Sequence, residues 1–168
     1  MGIIKLGLIS IVFFVLLITG ISLFFPSHIH ISRVTTINAH KDSILTQLNN
    51  PVNWKKWYPG ADSAEFIIKE GKIIGINTDN LQGLIIRTIN DSSISTTNNG
   101  SNTKRGTSGW NLFKGGTSHT VTVQWFMDIY LHWYPWEKFS SLLFEKRYGP
   151  MMEQGLDRLK NQLEKEVK

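Results

Sequence analysis

The stretch TVTVQWFMDIYLHWY, Thr120 to Tyr134, decides the fold. Val121, Val123, Trp125, Met127, Ile129, Leu131 and Trp133 alternate along it, so an extended chain puts all of these apolar side chains on one face. The opposite face carries Thr120, Thr122, Gln124, Phe126, Asp128, Tyr130 and His132 and is mixed. A strand with one dry and one half-wet face belongs to an antiparallel sheet covered on one side.

The cover lies downstream. Pro135 suits a helix start, with Trp136, Phe139 and Leu143 along one side. Gly149-Pro150 is expected to interrupt that helix. Beyond it, Met152, Leu156, Leu159, Leu163 and Val167 recur at four- and three-residue steps with charges opposite, the pattern of an amphipathic helix.

Upstream, short β candidates alternate with turn chemistry. AEFIIKEGKIIGIN reads as a hairpin around Glu70-Gly71, LQGLIIRTI follows the turn TDN, and SSISTTN is bounded by the loop NNGSN. GTSGWNLFK leads into Gly115-Gly116, where a positive φ would be tolerated. Earlier still, HISRVTTIN reads as a first strand after the tether PSHIH. AHKDSILTQLNN follows as a short helix with Ile44, Leu45 and Leu48 on one side. VNWKKWY then makes one or two helical turns after Pro51, with Trp54 and Trp57 sharing a face and Lys55 and Lys56 left in water. Strand, two short helices, a run of antiparallel strands and a terminal helix describe an α+β domain. A strongly curved sheet gripping that helix leaves an apolar space between them, a common place for a small molecule.

Leu6 to Phe25 is an uncharged run, LGLISIVFFVLLITGISLFF. About 20 apolar residues are enough to cross a bilayer as a helix. It exceeds the ordinary apolar core of a signal peptide and lacks an Ala-x-Ala site, although the small residues at Thr19-Gly20 leave cleavage open. The expectation is an uncleaved single-pass anchor over residues 1–26 and one domain over 27–168. Lys5 favours a cytoplasmic start and a domain outside the cytoplasmic membrane, with Arg33 and Lys41 nearly balancing that bias.

The 168 residues carry a formal charge of +5, yet their basic residues are scattered, with no run longer than a pair. A nucleic-acid footprint would gather its cations on one face or helix, so no nucleic-acid partner is expected. Cysteine is absent, which removes disulfides, a thiolate nucleophile and Cys-based zinc sites.

Three quoted stretches resemble, in order, the START-like or SRPBCC superfamily, and in particular its membrane-tethered bacterial members of the polyketide cyclase/dehydrase and lipid-transport type. SRVTTINAHKDSILTQLNNPVNWKKWYP is similar to the family opening. GWNLFKGGTSHTVTVQW resembles its Gly-Gly-Thr hairpin and following strand, and YPWEKFSSLLFEKRYGPMMEQGLDRLKNQLE its terminal helix. The chain departs at His40, where relatives often carry proline, and at Tyr58-Pro59-Gly60, where many carry Ser-Pro-Trp. The resemblance implies a helix-grip fold, a curved antiparallel sheet wrapped on a long C-terminal helix. It also implies a hydrophobic small molecule or lipid as ligand. A cyclase/dehydrase-like enzyme using the same pocket, and a cavity-less envelope interaction protein, are the alternatives.

No catalytic motif is visible: no Ser-His-Asp order, phosphate loop or His-Glu-x-x-His. Arg33, Tyr58, Arg87 and Trp110 are the residues from which an enzymatic pocket would have to be assembled. His28 and His30 point the same way on the tether, but with no carboxylate near them in sequence they make a poor metal site. Asp128 and His132 share a strand face too far apart for an acid–base pair. Neither metal nor cofactor is expected. The pocket lining is expected from Trp54, Trp57, Trp110, Val123, Trp125, Met127 and Ile129 on one side and Met152, Leu156 and Leu159 on the terminal helix.

Overall fold

The computed structural model describes residues 2–78, 81–98, 106–116 and 119–166. The expected turn at Asp79-Asn80, most of the NNGSN loop and the last residue of the helical stripe, Val167, lie outside them.

An apolar helix α1 (Gly2–Ser22) stands apart from the rest, and strand β1 (His28–Asn38) follows it. Two short helices come next, α2 (Lys41–Asn49) and α3 (Pro51–Trp57). Six strands then run consecutively: β2 (Glu65–Lys69), β3 (Lys72–Thr78), β4 (Leu81–Asn90), β5 (Ser93–Asn98), β6 (Gly106–Lys114) and β7 (Thr120–Tyr130). Helix α4 (Pro135–Ser140), a 3-10 turn and the long helix α5 (Phe144–Glu166) finish the chain.

The strands form one antiparallel sheet in the order β1-β7-β6-β5-β4-β3-β2. β1 and β2 are therefore opposite edges, and the chain passes from one to the other through α2 and α3. Register shifts at Ile67/Ile68, Ile76/Thr78 and Ile86/Thr88 fall in the β2–β4 half. Bulges bend a strand and increase its twist, so that half supplies the curvature. The Glu70-Gly71 turn is as expected, with φ of 52° and 73°, the pair of positive angles a two-residue hairpin needs. Gly115 serves differently. Its φ is not positive, and a Cβ there would lie 2.2 Å from Thr120 Oγ1, so close approach is what excludes a side chain.

Alternation in β7 works as expected through Ile129, and β1 is matched to it, with Ile31 opposite Met127 and Ile29 opposite Ile129. The strand ends at Tyr130 rather than Tyr134. Its partner β1 begins at His28, opposite Tyr130, and the two segments part just beyond that pair. Leu131 still donates to Ser27 O at 2.8 Å, in register with the last pair, but the next N–H, that of His132, turns to Glu137 Oε2 at 2.7 Å. Trp133 consequently leaves the inner face and is exposed.

α5 runs unbroken through Pro150, against the expected interruption. Proline inside a helix removes one hydrogen bond, but this ring lies on the exposed side, where water can satisfy the carbonyl left over. Met152, Leu156, Leu159 and Leu163 are buried along the other side. Gly155 lets the helix close on the sheet, since a Cβ there would meet Trp125 Cζ3 at 2.6 Å and Pro59 Cδ at 2.9 Å.

Candidate functional site: an aromatic interior between sheet and helix

α3 is built to present rings. Asn50 caps it by accepting from the Val52 N–H at 3.0 Å, and Pro51 occupies its first turn, where a missing N–H costs nothing. The three-residue spacing then turns Trp54 and Trp57 to one face, and both are fully buried. Lys56 is exposed as expected, whereas Lys55 lies 4.6 Å over the Phe66 ring.

Trp110 from β6 and Trp125 from β7 meet these rings from the sheet, being cross-strand partners. Tyr58 completes the cluster. Trp57 and Trp110 are edge-to-face at 5.6 Å, Trp110 and Trp125 are 5.5 Å apart, and Tyr58 and Trp125 5.0 Å. Burial pushes the Tyr58 phenol well above the usual tyrosine range, with Tyr148 adding to it, so it stays neutral.

The polar edges of the rings differ. Trp54 Nε1 donates to Leu48 O at 2.9 Å, and Trp125 Nε1 to Ser108 Oγ at 3.0 Å. Trp57 Nε1 and Trp110 Nε1 are buried without an acceptor among the described residues.

Of the ten residues expected to line a pocket, all but Ile129 lie in or against one packed core between sheet, α3 and α5. Trp54, Trp57, Trp110, Val123, Trp125, Met152, Leu156 and Leu159 are buried. Met127 and Ile129, farther along β7, are only partly covered. Ile29, opposite Ile129 on β1, and Phe144, Tyr148 and Met151 of α5 are likewise partly buried against the core, as are Leu45, Phe66 and Ile86 on other elements. The interior is therefore tight at the tryptophans and looser towards the end of β7 from which α4 departs. Sequence reasoning missed Tyr58 as a core ring and Ser108 as an indole acceptor. Tyr58 directly follows Trp57 and Ser108 alternates with Trp110, so only the burial of their neighbours marked them.

Other candidates are engaged elsewhere. Arg33 forms ion pairs with Glu145 and with Glu153 of α5, and those hydrogen bonds raise its pKa. Arg87 donates to Thr97 Oγ1 at 3.1 Å. His28 and His30 belong to β1 rather than to a tether, and the sheet supplies the carboxylate that their sequence neighbourhood lacks. His28 Nε2 and His30 Nδ1 lie 2.9 and 2.8 Å from the same oxygen, Asp128 Oδ1. Partial burial raises the Asp128 pKa, but the hydrogen bonds to His30 and His28 outweigh it and the net shift is downward. Among the described residues no group of three His, Cys, Asp or Glu side chains has a metal-holding arrangement. His132 pairs with Glu137 at 3.0 Å instead of approaching Asp128.

A cleft of about 750 Å³ opens at the far end of the sheet, with Leu112 and Val121 among its apolar residues and His40, Lys41, Asp42 and Lys114 among its polar ones. It shares no residue with the ten above.

A curved seven-stranded antiparallel sheet closed on a long C-terminal helix is a START-like helix-grip fold. Among solved structures the chain is similar to a START superfamily protein from Mycobacterium smegmatis, with 12% identity, a TM-score of 0.62 and coverage of 81% of this chain and 97% of that one. It is equally similar to the Zhui aromatase/cyclase from Streptomyces sp. R1128, at 12% identity and a TM-score of 0.61, covering 84% and 96%. The di-domain aromatase/cyclase StfQ of the steffimycin biosynthetic pathway shares 9% identity and a TM-score of 0.60, over 83% of this chain and 52% of that one. No protein-family model and no curated protein matches the sequence. At these identities the likeness is one of fold.

Proposed function

We propose that this chain is a membrane-tethered binding module that holds a hydrophobic small molecule or lipid between sheet and α5. The carrying observation is the pair of buried indole N–H groups, Trp57 Nε1 and Trp110 Nε1, that have no acceptor among the described residues of an apolar core. An unsatisfied buried donor costs about 1–3 kcal/mol, which an acceptor on a ligand would recover. Apolar contact adds roughly 25 cal/mol per Å² removed from water. The ligand class is therefore apolar in bulk with a carbonyl, ester or hydroxyl oxygen, and the looser ground around Met127, Ile129 and Tyr148 is its way in. In this reading α1, a 21-residue helix with none of its apolar span buried, is the anchor over residues 1–26. A signal sequence of the same composition would look alike. The intact mass of the protein recovered from membranes separates the two, since a cleaved signal is missing from it and an anchor is kept.

The test is native mass spectrometry of the full chain in lipid nanodiscs, with release and identification of bound molecules. The wild type is expected to carry an oxygen-bearing apolar molecule. A W57F/W110F variant keeps a smaller aromatic ring at each position and loses both donors; it is expected to stay folded, at reduced stability, and to lose most of that occupancy. A folded wild type that carries nothing and ignores a panel of lipids and apolar fluorescent probes overturns the reading.

A further inference from the structure

The stripe Trp136, Phe139 and Leu143 has the look of a core-facing helix side, yet the described protein leaves most of it uncovered. Trp133 and Trp136 are 62% and 66% exposed, and Leu142 and Leu143 60% and 64%. The patch is ordered. Tyr134 stacks on Trp136 at 4.7 Å with the planes 6° apart, and Trp133 lies 5.1 Å from Tyr134. Soluble surfaces seldom concentrate large apolar side chains in this way unless something docks there.

Its position identifies the occupant. Phe139 packs edge-to-face on Phe25 at 5.4 Å, just past the end of α1. The Lys138 side chain, 3% exposed, reaches the same spot and donates to Phe25 O at 2.9 Å and Ser27 Oγ at 2.6 Å. The patch is thus continuous with the exposed Leu23 and Phe24 and with the apolar surface of α1 itself.

We infer that the α4 face is a bilayer-interface docking surface, seating Trp133, Trp136, Leu142 and Leu143 in the headgroup region of the leaflet from which α1 emerges. Tryptophan and tyrosine favour that zone because an apolar ring and a polar edge are both satisfied there. A short amphipathic segment lying in the interface plane buries its apolar side in the same region. The charges agree. Glu137 is turned onto His132 and its backbone N–H, so it is not presented to the lipid. Lys146 and Arg147, exposed in the first turn of α5 a few residues past Leu143, are cations available to lipid phosphates. This inference rests on α1 crossing the membrane, and it adds that the domain is seated on the bilayer and not held above it.

Tryptophan emission tests it. Of the six tryptophans only Trp133 and Trp136 are exposed, and α1 contains none. The full chain is reconstituted in phosphatidylcholine vesicles with and without lipids brominated high on the acyl chain. Bromolipid is expected to quench part of the wild-type emission, and W133F/W136F is expected to lose that quenching while Trp54, Trp57, Trp110 and Trp125 keep emitting. Flotation after an alkaline wash reports the anchor separately. A chain that floats but is not quenched overturns the docking alone, and so does a double variant quenched as strongly as wild type. Cross-linking between copies through position 136 without quenching assigns the face to a second chain and also overturns it. A chain washed off the vesicles overturns the anchor and the docking together.

Discussion

Trp54 and Trp57 stand three residues apart just after a proline, and Trp133 and Trp136 stand three residues apart around one; the first pair is fully buried and the second mostly exposed. Helical spacing gives the first pair a common face, whereas Trp133 lies in the link before α4, and in neither case does spacing say what the rings will meet. The first pair projects from α3 towards the middle of the sheet, where Trp110 and Trp125 wait as cross-strand neighbours. The second begins where β7 has run out of partners and the chain has come back beside α1. One pair closes a core, and the other faces whatever surrounds the protein.

The most direct way to break this comparison is to remove a ring from each. Trp54→Ala is expected to cost about 3–5 kcal/mol in denaturant unfolding of the full chain, since it empties a packed site and strands the Leu48 carbonyl. Trp136→Ala is expected to stay within about 0.5 kcal/mol in the same assay. Equal losses would mean that the two pairs do the same job.

Two smaller changes sharpen the account of the buried side. Gly155→Ala puts a methyl against Trp125 and Pro59 and should destabilise by about 1–3 kcal/mol, although helix propensity alone favours alanine by about 1 kcal/mol. Gained stability would show that α5 is free to back away from the sheet. Ser108→Ala leaves the Trp125 indole without its acceptor and is expected to cost about 1–3 kcal/mol with the ring still packed. An unchanged melting temperature would say that the indole finds another partner.

The least of the expected effects lies on the exposed side, at Asp128. Its folded pKa is depressed from 3.8, so its bonds to His28 and His30 contribute above that value and are lost as pH falls through the folded pKa. Asp128→Asn should therefore lower stability at neutral pH by a few tenths of a kcal/mol, about the worth of a partly exposed pair. The difference should vanish once the pH has fallen through the depressed Asp128 pKa in an acid unfolding series. A gap that persists there would point to something other than the charge.

How much of this was legible beforehand follows from the range of the interactions. The hairpin at Glu70-Gly71, the ring-presenting α3 and the stripe from Met152 to Leu163 are local patterns, and each stands where periodicity placed it. The bond between His30 and Asp128 spans 98 residues and exists only through sheet register, so nothing near His30 announced it. The end of β7 was invisible for the same reason, because apolar alternation continues to Trp133 while the partner strand does not. The inward side of β7 was readable from alternation, and those of α3 and α5 from helical spacing. Which indoles lack an acceptor depends on atoms brought together by the whole fold.

Lys138 has one more consequence. A domain hung from a membrane helix by a slack linker sweeps out a hemisphere and meets its partners by reaching for them. Here the joint is clasped: a buried ammonium holds the carbonyl of Phe25 and the hydroxyl of Ser27, and Leu131 holds the carbonyl of Ser27. With α1 in a bilayer, the domain would travel as a rigid rider at one height and one tilt. Any exchange it makes would then be governed by lateral diffusion within the plane, with the orientation cost of each encounter already settled by the clasp.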